Sequence, residues 1–279
     1  MLRALDLFCC AGGASRGLQL AGFHVTGVDI RPQPRYIGDA FIQADALEVP
    51  LSGFDLIWAS PPCQGYTALR HAPGTKGAPL LIESVRDRLK AFAGLFVIEN
   101  VEEAKWALHS PVVLCGSMFA LGSQGCRLQR HRLFESNFDI PQPFPCSHDQ
   151  RPVIGVYGGH ARRRSASAGG RGTQDVWEGG HKAAASEAMG IDWMTLAELS
   201  EAIPPAYSKH IGLQAVAAIG RVATHSQVKP GESCSADSGQ TRSHHAANQK
   251  VLQPDATRHP HRSLEAGSEG GQAYPGSLC

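Results

Sequence analysis

The 279-residue sequence has little charge of either sign to spare: 26 Lys and Arg stand against 25 Asp and Glu, a formal net charge of +1. That balance neither demands nor excludes a nucleic-acid partner, because a basic cleft can be offset by acidic surface elsewhere. No apolar run is long enough to span a bilayer, so no membrane partner is expected. Residues 1–6 carry Asp6 inside a strand-like pattern, where a signal peptide would have an unbroken apolar core. The 8 cysteines lack any framework spacing. Adjacent Cys9 and Cys10 could hardly be bridged without strain. Reduced thiols in a cytoplasmic protein are the expectation. There is no CxxC pair either. Cys126, Cys146 and His148 are the nearest approach to a zinc set, and without that pairing no metal site is expected. The last absence is GxGxxG, the glycine spacing that a dinucleotide pyrophosphate needs, and it counts against a nicotinamide cofactor.

What is there begins with a short apolar strand carrying Asp6, then a glycine-rich turn with Gly12, Gly13 and Gly17 that opens a helix. A strand over 25–29 follows and ends in Asp29. This order builds a nucleotide-binding half-sheet, and a ligand with a carboxylate in place of a pyrophosphate suits such a helix N-terminus. Residues 54–59 read as a buried strand stopped by Pro61 and Pro62, which stiffen the exit and deliver the thiol of Cys63. In open α/β sheets, ligands sit at the carboxyl ends of central strands. Residues 95–98 form the next strand and deliver Glu99 and Asn100. Over 126–134, alternate arginines at 130 and 132 are expected on one face of a short strand, suited to an anion or a carbonyl oxygen.

Pro61-Pro62-Cys63-Gln64 resembles the nucleophile loop of the DNA cytosine-5 methyltransferases. Asp6-Leu7-Phe8 with Gly12-Gly13 and Gly17-Leu18 is similar to the family's first motif, Glu99-Asn100-Val101 to its acidic motif, and Arg130-x-Arg132 to its arginine motif. The arginine motif departs from the pattern: Leu128 stands where a Gln is expected, and Gln129 is displaced by one. The resemblance implies an α/β fold, a doubly wound Rossmann-like sheet with a small irregular target-recognition insertion, as in small phage-type members. It implies S-adenosylmethionine as cofactor, held by Phe8 at the adenine, the Gly12-Gly13 backbone at the methionine moiety, Asp29 at the ribose, Asp45 at the adenine amino group, and Pro61. It implies catalysis by Cys63 as nucleophile, with Glu99, Arg130 and Arg132. The implied partner is double-stranded DNA, met by Gln64 and by the run Arg162, Arg163 and Arg164. The enzyme is expected to be a monomer. An RNA cytosine methyltransferase, for which Cys63 and Glu99 would play the same parts, and a non-catalytic nucleic-acid-binding relative are the alternatives.

The expected organisation is a catalytic, cofactor-binding domain over 1–140 and a short target-recognition insertion over 141–188. A return over 189–221 then completes the cofactor pocket, and a tail over 222–279 is too polar to fold. A mobile loop is expected over 67–79 and an Arg/Ser/Gly loop over 161–172. The helix near residues 80–92 should turn a charged, solvated face outward. Thr195 and Glu198 form a capping-box pattern.

Overall fold

The computed structural model describes residues 1–67, 77–158, 160–164 and 177–225; the expectations for 68–76, for 165–176 and for 226–279 lie outside the described residues. Among the described residues, eleven strands and five α-helices follow in chain order. The first are β1 (Leu2–Leu7), α1 (Gly13–Leu20), β2 (Phe23–Asp29), β3 (Ala40–Gln43), β4 (Leu56–Ala59), α2 (Ile82–Lys90) and β5 (Leu95–Asn100). After them come β6 (Val112–Leu114), β7 (Gly122–Ser123), β8 (Cys126–Leu128), β9 (Arg132–Ser136), β10 (Val153–Tyr157) and β11 (His160–Arg164). The last described elements are α3 (Gly180–Met189), α4 (Leu196–Glu201) and α5 (Pro205–His225).

The main sheet has seven strands in the order β3-β2-β1-β4-β5-β9-β6. β1 to β5 pair in parallel, while β9 runs antiparallel to both of its neighbours. The central strands β1, β4 and β5 are almost wholly buried, as parallel strands covered on both faces must be. The order reverses between β1 and β4. Connections diverge there, and a crevice opens at the carboxyl ends of the two strands.

Two apolar clusters flank this sheet. On one side α1 and α5 pack closely. A Cβ at Gly17 would lie 2.0 Å from Ser208 Oγ and 2.2 Å from the Pro205 carbonyl oxygen. Only glycine lets the two helices approach so far, which ties the end of the chain to its beginning. On the other side α2 carries a surprise. Arg86, expected in solvent, is buried and makes a two-pronged ion pair with Glu135 of β9 at 2.7 and 2.8 Å. Periodicity placed the helix but could not reveal a buried carboxylate 49 residues away.

The region expected to be irregular is regular in part. β11-β10-β8-β7 form a four-stranded sheet covered by α3, with its own apolar cluster around Leu128, Ile154, Val156, Trp177 and Met189. Residues 161–164, read as the start of a loop, belong to β11, which runs antiparallel to β10. The predicted capping box at α4 is present, with Thr195 and Glu198 bonded reciprocally.

Candidate active site

The segment 126–134 is not one strand. β8 belongs to the small sheet and β9 to the large one, and residues 129–131 carry the chain between them. Alternation holds only along a continuous strand, so Arg130 and Arg132 part company. Arg130 turns inward. Its guanidinium donates to the backbone oxygens of Val156, Ser200 and Ala202 at 2.7, 2.8 and 2.9 Å. It stitches the small sheet to the segment around α4 and does not line the crevice at the β1–β4 switch point. The expected catalytic Arg130 thus stands behind the cavity rather than in its lining, close enough for its charge to act on Cys63 and Glu99.

Arg132, Cys63 and Glu99 do converge. All three line a cavity of about 230 Å³ at the carboxyl ends of β1, β4 and β5, together with Phe8, Gly13, Pro61 and Gln64. Cys63 follows β4 and Glu99 ends β5, and these strands are neighbours. Adjacent strands lie about 4.8 Å apart, so residues leaving them face a shared space. Asn100 fixes the register of the two loops by donating to the Pro61 carbonyl oxygen at 2.9 Å. After Cys63 the chain makes a tight turn in which Tyr66 and Thr67 donate to the Cys63 carbonyl oxygen.

The electrostatics are set by burial. Glu99 is buried, and loss of solvent raises its carboxyl above the ordinary range even though Arg132 Nε sits 3.2 Å from it. Burial also pushes the Cys63 thiol up; Arg132 pulls it down and Glu99 pushes it up. Desolvation therefore outweighs the pull of Arg132 toward a thiolate. Arg132 also donates from Nη1 to the His131 carbonyl oxygen at 2.8 Å, which orients it toward Glu99.

At the turn after β1, Phe8 holds a left-handed φ of 61° and Gly12 one of 85°. A Cβ at Gly13 would lie 2.5 Å from the Ile203 carbonyl oxygen. The need for glycine at 13 thus comes from the returning chain. Ala202 and Ile203, with Glu198 and Glu201, line the same cavity, so the C-terminal segment forms one of its walls. Asp29 lies at the tip of β2 and accepts from the amides of Cys10 and Arg31 at 3.1 and 2.9 Å. Asp45 accepts from the Leu47 amide at 2.8 Å in a local turn. The lining of the cavity includes neither acid, nor Gly12.

One residue was quoted from the sequence without a role. Asp6 of β1 is buried and lines the cavity. Its Oδ2 accepts from Ser15 Oγ, while its Oδ1 has no hydrogen-bond partner among the described residues. Burial raises its carboxyl to about 7. An acid inside an apolar strand pattern was the available signal.

The proposed phosphate contacts divide. Gln64 lines the cavity, whereas Arg162 and Arg163 lie on β11. Successive strand residues point to opposite faces, so that run does not form one basic face. The side chain of Arg164 is outside the description.

Seven strands with one reversed, helices on both faces and a crevice at the switch point make a doubly wound α/β fold, and solved methyltransferases share it. Among solved structures the chain is similar to a candidate DNA modification methyltransferase encoded within an E. coli prophage, at 14% identity, covering 79% of this chain and 100% of that one, with a TM-score of 0.50. It is also similar to the methyltransferase EhMeth of Entamoeba histolytica, at 11% identity over 78% of this chain and 99% of that one, again with a TM-score of 0.50. At these identities the likeness is one of fold. No family model and no curated protein sequence matches the chain. No helix among the described residues is long and apolar enough to cross a membrane.

Proposed function

We propose that the protein is a DNA cytosine-5 methyltransferase that uses S-adenosylmethionine and acts through a covalent adduct on Cys63. The observation that carries this reading is the meeting of a thiol, a buried carboxyl and an arginine in one cavity at the β1–β4 switch point. The cavity also suits the cofactor. The unpartnered Oδ1 of Asp6 offers an acceptor to an ammonium group, and Phe8, Gly13 and Pro61 line the same space. Bound there, S-adenosylmethionine supplies an electrophilic methyl group on a sulfonium.

The chain's own groups do the rest. Carbon 5 of cytosine is a poor nucleophile. Addition of Cys63 Sγ to carbon 6 makes the ring electron-rich at carbon 5, and one hard step becomes two easier ones. Glu99, whose carboxyl burial shifts toward the protonated form, donates to ring N3 as charge builds there. Arg132 holds Glu99 in place and offers positive charge to the base's carbonyl oxygen. Once carbon 5 carries the methyl group, water takes the carbon 5 proton and the freed electron pair re-forms the C5–C6 double bond. The sulfur leaves carbon 6 as thiolate while Glu99 takes back the N3 proton. Because burial raises the Cys63 thiol, it passes its proton to water as the base arrives. The reacting ring cannot reach this cavity from inside a stacked duplex, so the nucleotide is flipped out, at a cost of a few kcal/mol.

A duplex carrying 5-fluorocytosine should trap the protein as a denaturation-resistant complex, since fluorine at carbon 5 cannot leave as the proton does. Cys63→Ala should abolish both trapping and methyl incorporation, a loss of about 10³-fold or more, while still binding S-adenosylmethionine. Turnover by that variant would reject the covalent mechanism. Trapping by RNA and not by DNA would transfer the same chemistry to an RNA substrate.

A further inference from the structure

A second cluster of reactive side chains lies outside the cavity. Cys115, His131, Cys146 and His148 bring one ligand atom each to within 4.8 Å of one another. We propose that these four residues bind a structural zinc ion in a tetrahedral Cys₂His₂ site.

The backbone explains how four residues from three segments meet. β6 and β9 are antiparallel, with Leu114 opposite Arg132. One residue further along that register, Cys115 stands opposite His131. Opposed cross-strand residues share a face with Cβ atoms about 5 Å apart. Cys146 and His148 are two residues apart in the proline-rich loop that follows β9, and their side chains turn to the same side: Cys146 Sγ lies 3.0 Å from His148 Nε2. The two pairs then interlock, with Cys115 Sγ 3.5 Å from His148 Nε2 and Cys146 Sγ 3.4 Å from His131 Nε2. Zinc–sulfur and zinc–nitrogen bonds of about 2.3 and 2.0 Å give tetrahedron edges of roughly 3.3–3.8 Å. The sulfur–nitrogen separations bracket the lower part of that range, so small side-chain shifts admit the ion.

The surroundings supply what a metal histidine needs. His131 presents Nε2 to the cluster while its Nδ1 lies 3.0 Å from Glu102 Oε2. A carboxylate on the far nitrogen fixes the tautomer and orients the ring toward the ion. Ser117 Oγ lies 3.7 Å from Cys146 Sγ, within reach of a weak hydrogen bond to a thiolate. Two thiolates neutralise the dication, and a set of two sulfurs and two imidazoles selects zinc over magnesium or calcium. All four protein positions are filled, so the site is structural. It clips the loop at 146–148 to the edge of the large sheet, just before the chain enters the small one. It also holds His131, whose carbonyl oxygen receives Arg132 Nη1, so the ion steadies one wall of the active-site cavity from outside.

The full chain, without an affinity tag and purified under reducing conditions from zinc-supplemented cells, should carry about one zinc per chain by elemental analysis and by native mass spectrometry. Cobalt exchanged into it should show the visible bands of a tetrahedral thiolate site. Cys146→Ser with His148→Asn should reduce zinc to below about one-tenth of an equivalent, and Cys63→Ala should retain it. Both replacements of the double variant lie in an exposed loop, and circular dichroism confirms its fold. A folded wild-type chain with no zinc after zinc is supplied, zinc undiminished in the double variant, or a Cys115–Cys146 disulfide under reducing conditions would overturn the proposal. None of these readouts depends on methyl transfer.

Discussion

Asp6 shows what a single residue can cost a fold. Its carboxyl stands at about 7, against 3.8 for an exposed aspartate, because burial opposes the charge. Below about pH 4 both folded and unfolded chains hold the proton, and it makes no difference to stability. As pH rises from about 4 to 7 the unfolded chain loses the proton first, so stability falls through that window, by an amount of order 4 kcal/mol when complete. Asp6→Asn removes the charge and keeps the shape. It should melt higher than wild type at pH 8, with the difference vanishing near pH 4, in thermal scans across that range. The same variant should bind S-adenosylmethionine more weakly, because the free oxygen becomes an amide whose orientation Ser15 decides. A variant that gains no stability at pH 8 would mean that the carboxyl is solvated after all. Glu99 obeys the same physics with a different use: burial raises its carboxyl, which is what a proton donor to a substrate ring needs.

Among the elements, the break between β8 and β9 has the widest consequences. It sends Arg130 and Arg132 in different directions, and it also creates the turn that carries His131. Arg130 becomes a brace, with three backbone oxygens as partners. Tyr207 of α5 supports this brace by donating to the Arg130 carbonyl oxygen at 2.6 Å. Arg130→Met should leave buried oxygens without donors and cost about 3 kcal/mol or more. For a chain of this size that lowers the melting temperature by roughly 6–12 °C. In calorimetry and rate measurements on the same sample, loss of stability should outrun loss of rate per folded molecule. The reverse order would restore Arg130 to catalysis.

Over the whole molecule, the chain's path makes its end part of its first layer. Tyr207, Ile211 and Ala215 of α5 are buried against Leu18, Ala21 and Phe23 of the opening α/β unit. Residues of the same return line the cavity opposite Cys63. A chain ending at residue 204 exposes this surface and should show no cooperative thermal transition by circular dichroism. A sharp transition in that fragment would mean that the remaining core is self-sufficient. The chain passes between the large sheet and the small one through residues 115–121, residues 129–131 and the proline-rich loop, so whatever stiffens those three connections steadies the wall of the cavity.

Local patterning carried most of the main sheet. Buried parallel strands are apolar runs, glycine turns mark where helices begin, and prolines mark where β4 stops; each signal lies within a few residues, so strands, helices and the positions of Cys63 and Glu99 were legible. The misreadings share one cause. Arg86 is buried by a partner on another strand, Arg130 is redirected by a change of sheet, and residues 161–164 become a strand only because β10 is beside them. The meeting of Cys115, His131, Cys146 and His148 is equally hidden along the chain. Cys115 and His131 are neighbours by antiparallel register, and no spacing rule along the chain encodes that. Short-range sterics and hydrophobic period belong to the sequence alone. The pairing of distant strands, and with it every contact between charges and ligands on separate segments, was decided only when the chain closed on itself.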